Sequence, residues 1–224
     1  MTFSLVARCA DSDLVGVAIA SSSPAVAARC SRTRAGVGAV ASQNVTDPSL
    51  GPAMLDLMAG GRDAPAALEA LFAGREHAAW RQVLAVDAAG RTAIHSGPNA
   101  LGTFAEARGE GVASGGNLLA HAGVPRAMVE AFAAARGHLG DRLVAALRAG
   151  LVAGGEAGPV HSAGLQLADR LDWPVADLRC DWTEGCPIEA VATAWDVYRP
   201  QMDAYVTRAL DPSSAPSYGV PGDD

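Results

Sequence analysis

Hydrophobic and polar positions sort the chain into alternating blocks of strands and helices. In TFSLVAR, Phe3, Leu5 and Ala7 fall on one side, the period of two that marks a strand. Ala10-Asp11-Ser12-Asp13 supplies a turn, and Leu14 to Ala20 is continuously apolar, as expected of a strand covered on both faces. Gly36 to Gln43 reads as a third strand. The period then lengthens. Leu50, Met54, Leu57 and Met58 predict a helix up to Gly60-Gly61, and a second helix runs from Asp63 as N-cap, with Pro65 near its start, to Gly74. Arg81 to Gly97 reads as a hairpin turning at Ala88-Ala89-Gly90, and Gly111 to Leu119 as a strand ending in a loop.

Two more helices follow. One has Pro125 in its first turn and buries Val124, Met128 and Phe132; the other runs from about Asp141 with Leu143, Leu147 and Leu151 in one stripe. Strands return at AGLQLAD and VADLRCD. A final helix from Pro187 carries Ile188, Val191, Trp195, Tyr198, Met202 and Tyr205 as a buried stripe, which Pro200 should kink or break. Segregated blocks of strands and helices predict an α+β fold with antiparallel sheets. Continuously apolar strands need cover on both faces, and two stacked sheets with helices outside, a four-layer αββα sandwich, provide it. Residues 1–210 are expected to form a single domain and 211–224 a loose tail.

Composition narrows the function. A net charge of −7 argues against nucleic acid and anionic membranes as partners. All 17 basic residues are arginine, so Schiff-base, P-loop-lysine and lysine-base chemistry are excluded. The opening has neither the basic region nor the apolar length of a signal peptide, no apolar run reaches the roughly 20 residues of a membrane span, and a cytoplasmic location with reduced cysteines is the expectation. Neither a metal-ligand pattern nor a cofactor motif stands out, so no cofactor is expected.

The segments TFSLVAR, LVGVAIASSS, RAGVGAVASQNVTDPSLGP, RQVLAVDAAGRTAIHSG, GGNLLA, RLVAALRAG, HSAGLQL and VADLRCDW, in that order, resemble the bacterial and archaeal family called domain of unknown function 1028. The resemblance spans residues 2 to about 199 and implies the αββα fold of the N-terminal-nucleophile (Ntn) hydrolases. Two departures stand out. Where the pattern GGDxRGxxSAAL is expected, this chain has GGEAGPVHSAGL, which keeps an acid as Glu156 but lacks the arginine. Where an aromatic often follows the glutamine, Asn44 stands.

With that resemblance the opening acquires a chemical reading. A threonine hydroxyl needs an adjacent base, and an α-amino group of pKa about 8 can be that base only if Met1 is removed, because an acylated nitrogen takes no proton. The small second residue permits that removal. Asn117, in Gly115-Gly116-Asn117, is the candidate oxyanion donor, with Gly116 letting backbone approach a ligand. Ser21, Gln43 and Arg34 are the candidate substrate-binding groups; Arg34, preferred over Arg32, would supply positive charge where proteasome-like enzymes use a lysine. Three readings stay open. One is an amidohydrolase of a small amide or amino-acid derivative with Thr2 as nucleophile. The second is a noncatalytic protein of the same fold that binds a small metabolite. The third is a homo-oligomer working through interfaces lined by Trp173, Trp182, Trp195 and Tyr198.

Overall fold

The computed structural model describes residues 1–220. Among the described residues, ten strands form two antiparallel sheets: β1 Thr2–Arg8, β2 Val15–Ser21, β3 Ser31–Arg34, β4 Gly38–Asn44, β5 Arg81–Asp87, β6 Thr92–Ser96, β7 Ala105–Gly109, β8 Val112–Asn117, β9 Ser162–Ala168 and β10 Ala176–Cys180. One sheet has the order β10-β9-β2-β1-β8-β7 and the other β3-β4-β5-β6. The helices are α1 Val26–Cys30, α2 Leu50–Ala59, α3 Ala64–Phe72, α4 Val124–Ala134, α5 Leu139–Val152, α6 Pro187–Tyr198 and α7 Met202–Leu210. The sheets pack face to face, with α4, α5 and α6 on the outer face of the first and α2 and α3 on the outer face of the second. The α+β expectation and its layer order therefore hold.

The pleat of β1 explains the layering. Phe3, Leu5 and Ala7 point outward into a core with Met128, Leu143, Leu147 and Trp195. Val6 points inward, where it meets Val17, Ala41, Leu84 and Val86 between the sheets. β1 and β2 are buried along almost their whole length, as the unbroken apolar run of Leu14 to Ala20 foretold. The elements absent from the sequence reading are short or peripheral. The α1 helix is one turn and a half, β3 is the polar run SRTR at a sheet edge, and β7, AEARG, is a half-exposed edge strand. None offers a period long enough to recognise.

Pro200 breaks the last helix as expected. The α6 helix stops at Tyr198, a 3-10 turn covers Arg199–Gln201, and α7 resumes at Met202. Trp195 is a core residue whose indole N–H donates to Asp141 at 2.8 Å, so it lines no outer surface, whereas Trp173 and Trp182 are exposed. Beyond α7, residues 211–220 carry no helix or strand, but the Arg208 guanidinium donates to the carbonyls of Pro216 and Ser217 and stacks on Tyr218. The last residues of the expected loose tail, 221–224, lie outside the described residues. Among the described residues no helix is long and apolar enough to cross a membrane.

The short α1 helix is seated by a missing side chain. A Cβ on Gly164 of β9 would come within 2.3 Å of the Ala27 Cβ. Gly164→Ala should therefore lower stability by about 1–3 kcal/mol through overpacking, read as a fall in the urea midpoint, and adding Ala27→Gly should restore part of the loss. An unchanged midpoint in Gly164→Ala would contradict this seating.

Candidate functional site

Between the sheets, the apolar packing gives way to a polar seam at one end. The inward positions of β1 after Val6 are Ser4 and Thr2; β4 contributes Gln43, β5 contributes Gln82 and β8 contributes Asn117, all buried. These groups satisfy one another. Ser4 Oγ donates to Gln43 Oε1 at 2.6 Å. Gln43 Nε2 donates to Gln82 Oε1 at 2.8 Å and to the Gly115 carbonyl at 3.2 Å. Gln82 Nε2 donates to Ser96 Oγ at 2.8 Å and to the Gly116 carbonyl at 3.2 Å, and Asn117 Nδ2 donates to Gln82 Oε1 at 3.2 Å. The two backbone carbonyls accept only, which sets the amide orientation of both glutamines. Asn117 Oδ1, fully buried, is left without a partner.

Thr2 closes the seam. It is the register partner of Asn117 across β1 and β8, and its Oγ1 lies 3.3 Å from Ser21 Oγ. Both hydroxyls, Thr2 Oγ1 and Ser21 Oγ, donate to the carbonyl oxygen of Met1. Ser21 also accepts from the Ser23 backbone N–H at 3.1 Å. Its turn is anchored by Ser162, whose Oγ donates to the Ser23 carbonyl at 2.6 Å and accepts from Val26 N–H at 3.3 Å.

Beside this turn lies Glu156, only 4% exposed. The Ser22 backbone N–H donates to both of its carboxylate oxygens, at 3.0 and 3.2 Å. The backbone there is fixed by a bridge from Glu156 to Leu119 and by hydrogen bonds from Ala120 N–H to Gly155 and from Ala157 N–H to Leu118. Burial pushes the Glu156 carboxyl up to about 7, against the opposing pull of the Ser22 N–H, the chain's α-amino group and His161. His161 itself donates its backbone N–H to the Ser21 carbonyl and stacks on Trp182 with ring centroids 4.4 Å apart.

The structure thus gathers Thr2, Ser21, Gln43 and Asn117 at one end of the sandwich. Arg34 is a correction. It pairs with Gly38 at the far end of β4, five residues from Gln43 or about 16 Å along a strand, and its guanidinium is held by Asp56 at 2.8 Å on the surface. Arg32 is turned to the carbonyls of Ala28 and Ser31. Gly116 is a second correction: Gly115 to Asn117 belong to β8 and not to a loop, and the space beside Gly116 is taken by Leu119, whose Cδ2 would lie 2.6 Å from an added Cβ. Its glycine serves close packing, while its carbonyl serves Gln82. Asn44 ties down loops, donating to the Trp80 carbonyl and accepting from Leu101 N–H.

Sequence reasoning passed over Ser4 and Gln82. The signal was present as single polar residues at inward positions of otherwise apolar strands, in TFSLVAR and RQVLAVD. Glu156 was visible only as a surviving acid in a departing motif.

A family model described as "Family of unknown function (DUF1028)" matches residues 2–191, and the chain belongs to that family. It is similar to the crystal structure of a DUF1028 protein from Silicibacter pomeroyi, with 26% identity, a TM-score of 0.82 and 88% of each chain covered. A comparison with curated proteins gives no match.

Glu156 yields a pH test. A carboxyl that holds its proton more tightly when folded adds stability that is full below about pH 4.5 and gone once the pH passes about 7. Glu156→Gln keeps the acceptor for Ser22 and removes the charge. It should match the parent in thermal midpoint at pH 4.5 and exceed it at pH 8; a variant that melts lower than the parent at pH 8 would show that the ionised carboxylate is stabilising there.

Proposed function

We propose that this protein is an N-terminal-nucleophile amidohydrolase of a small amide or amino-acid derivative, in the manner of the Ntn hydrolases that its family resembles. The observation that carries the reading is the convergence of the Thr2 and Ser21 hydroxyls on one carbonyl oxygen, that of Met1, at the buried end of the polar seam. In a chain freed of Met1, a substrate carbonyl takes that seat.

The chemistry then follows from named groups. The Thr2 α-amine accepts the Oγ1 proton as Oγ1 attacks the carbonyl carbon. The resulting oxyanion accepts from Ser21 Oγ–H, which already reaches a carbonyl oxygen there. The α-ammonium returns the proton to the leaving amine as the C–N bond breaks, and water hydrolyses the acyl-threonine ester by the same base. Asn117 enters differently from the sequence expectation. One of its amide N–H groups is turned to Gln82, and its free atom is the acceptor Oδ1, which suits holding the α-ammonium better than the oxyanion. Gln43 acts through Gln82, keeping Asn117 in place. The reading is one of a cytoplasmic protein working on a small molecule.

The alternative, a noncatalytic metabolite-binding protein, is favoured by the same contact read the other way: a retained Met1 satisfies both hydroxyls and leaves Thr2 no basic nitrogen. Turnover of a panel of small amides and aryl esters separates the two. Thr2→Ala should abolish turnover, by at least about 1,000-fold, with the thermal midpoint preserved, and Thr2→Ser should retain part of it. Turnover that survives Thr2→Ala would overturn the nucleophile.

A further inference from the structure

The opposite end of β1 ends in an arginine. Arg8 is its last residue as Thr2 is its first, about 20 Å away along the strand. There the turn between β5 and β6, the turn between β7 and β8 and the end of α4 enclose a cleft of about 310 Å³ lined by Arg8, Gly90, Glu110, Gly111, Phe132 and Arg142, among others. Arg8 is pinned by its backbone N–H, which donates to the Gly111 carbonyl at 2.8 Å. Its stem runs beside Gly90, where an added Cβ would lie 3.5 Å from Arg8 Cδ. Gly90 and Gly111 both have positive φ, 84° and 64°, so both turns need glycine at these positions.

The guanidinium groups are the unusual feature. Arg8 Nε is buried and has no hydrogen-bond partner among the described residues, a costly state for a charged donor. Arg142 lies over the Phe132 ring at 3.9 Å and donates Nε and Nη2 to the Phe132 carbonyl, which fixes the group without neutralising it. Neither arginine forms an ion pair among the described residues. Asp87, at the root of the β5–β6 turn, is already engaged by Arg91 and by the N–H groups of Ala64 and Ala89. Glu110 is the one acid in the lining, and it is exposed. The cleft therefore carries two positive charges against one negative in a chain of net charge −7.

We propose that this cleft binds a small oxyanion, a phosphate or carboxylate group, held by the guanidinium groups of Arg8 and Arg142. A planar fork of donors matches either anion, and neither guanidinium has a carboxylate partner among the described residues to compete with it. The site is separate from Thr2 and stands whether or not the nucleophile reading does.

Calorimetric titration with inorganic phosphate and with succinate, each at ionic strength matched with sodium chloride, tests it. At least one should bind saturably. Arg8→Gln should weaken it about tenfold or more, and Arg8→Lys, which keeps the charge and loses the fork, should fall between. Glu110→Gln should tighten binding, and Arg148→Gln, a surface arginine paired with Glu189, should leave it unchanged. Binding of phosphate alone marks a phosphoryl group as ligand, and binding of succinate alone marks a carboxylate. Failure of both to bind overturns the proposal, as does equal affinity in the parent and Arg8→Lys together with Arg8→Gln.

Discussion

Three side-chain amides buried between two sheets govern this structure. Gln43, Gln82 and Asn117 come from three strands, two in one sheet and one in the other, and none reaches water. A buried amide without partners costs more than a hydrogen bond returns, so the amides must find one another and the carbonyls of Gly115 and Gly116. That condition sets how one sheet lies on the other. It also explains the glycine pair of β8: Gly115 faces Leu84 at contact distance and Gly116 faces Leu119, and larger residues would push the carbonyls away from the glutamines. The single atom left over, Asn117 Oδ1, stands beside the residue that begins β1.

β1 ties the rest together. Its outward residues join the helical core, its middle inward residue joins the apolar interlayer, and its first inward residues join the amide seam. Its two ends present different chemistry, hydroxyls at Thr2 and a guanidinium at Arg8. A central strand buried on both faces is a rigid mount, and here it fixes both. The hydroxyl end is reinforced by Ser162 under the Ser21 turn and by Glu156 against Ser22, residues far apart in the chain that β9 and the loop after α5 bring together.

Much of this was legible in the sequence. The long apolar periods of β1, β2, α5 and α6 have one physical solution each, and Pro200 broke its helix because it can neither donate nor clear the preceding turn. Thr2, Ser21, Gln43 and Asn117 could be chosen as candidates because each stands at the end of a strand that is readable. Arg34 failed for a reason of direction. It precedes a strand whose far end carries the candidate site, and placing it there needs the β3–β4 pairing that its polar edge strand conceals. Ser4 and Gln82 were hidden because a single polar residue in an apolar strand reads as an exception until its partners across the sandwich are known. Glu156 follows a helix in a loop, where no period operates.

The proposed nucleophile requires Thr2 to be the free end of the chain, and the intact mass of the untagged protein, taken before and after exposure to a reactive aryl ester, decides whether it is. The expected result is a chain lighter by one methionine that gains a single acyl group, mapped to Thr2 in the N-terminal peptide. A chain that retains Met1 and gains no mass would contradict it.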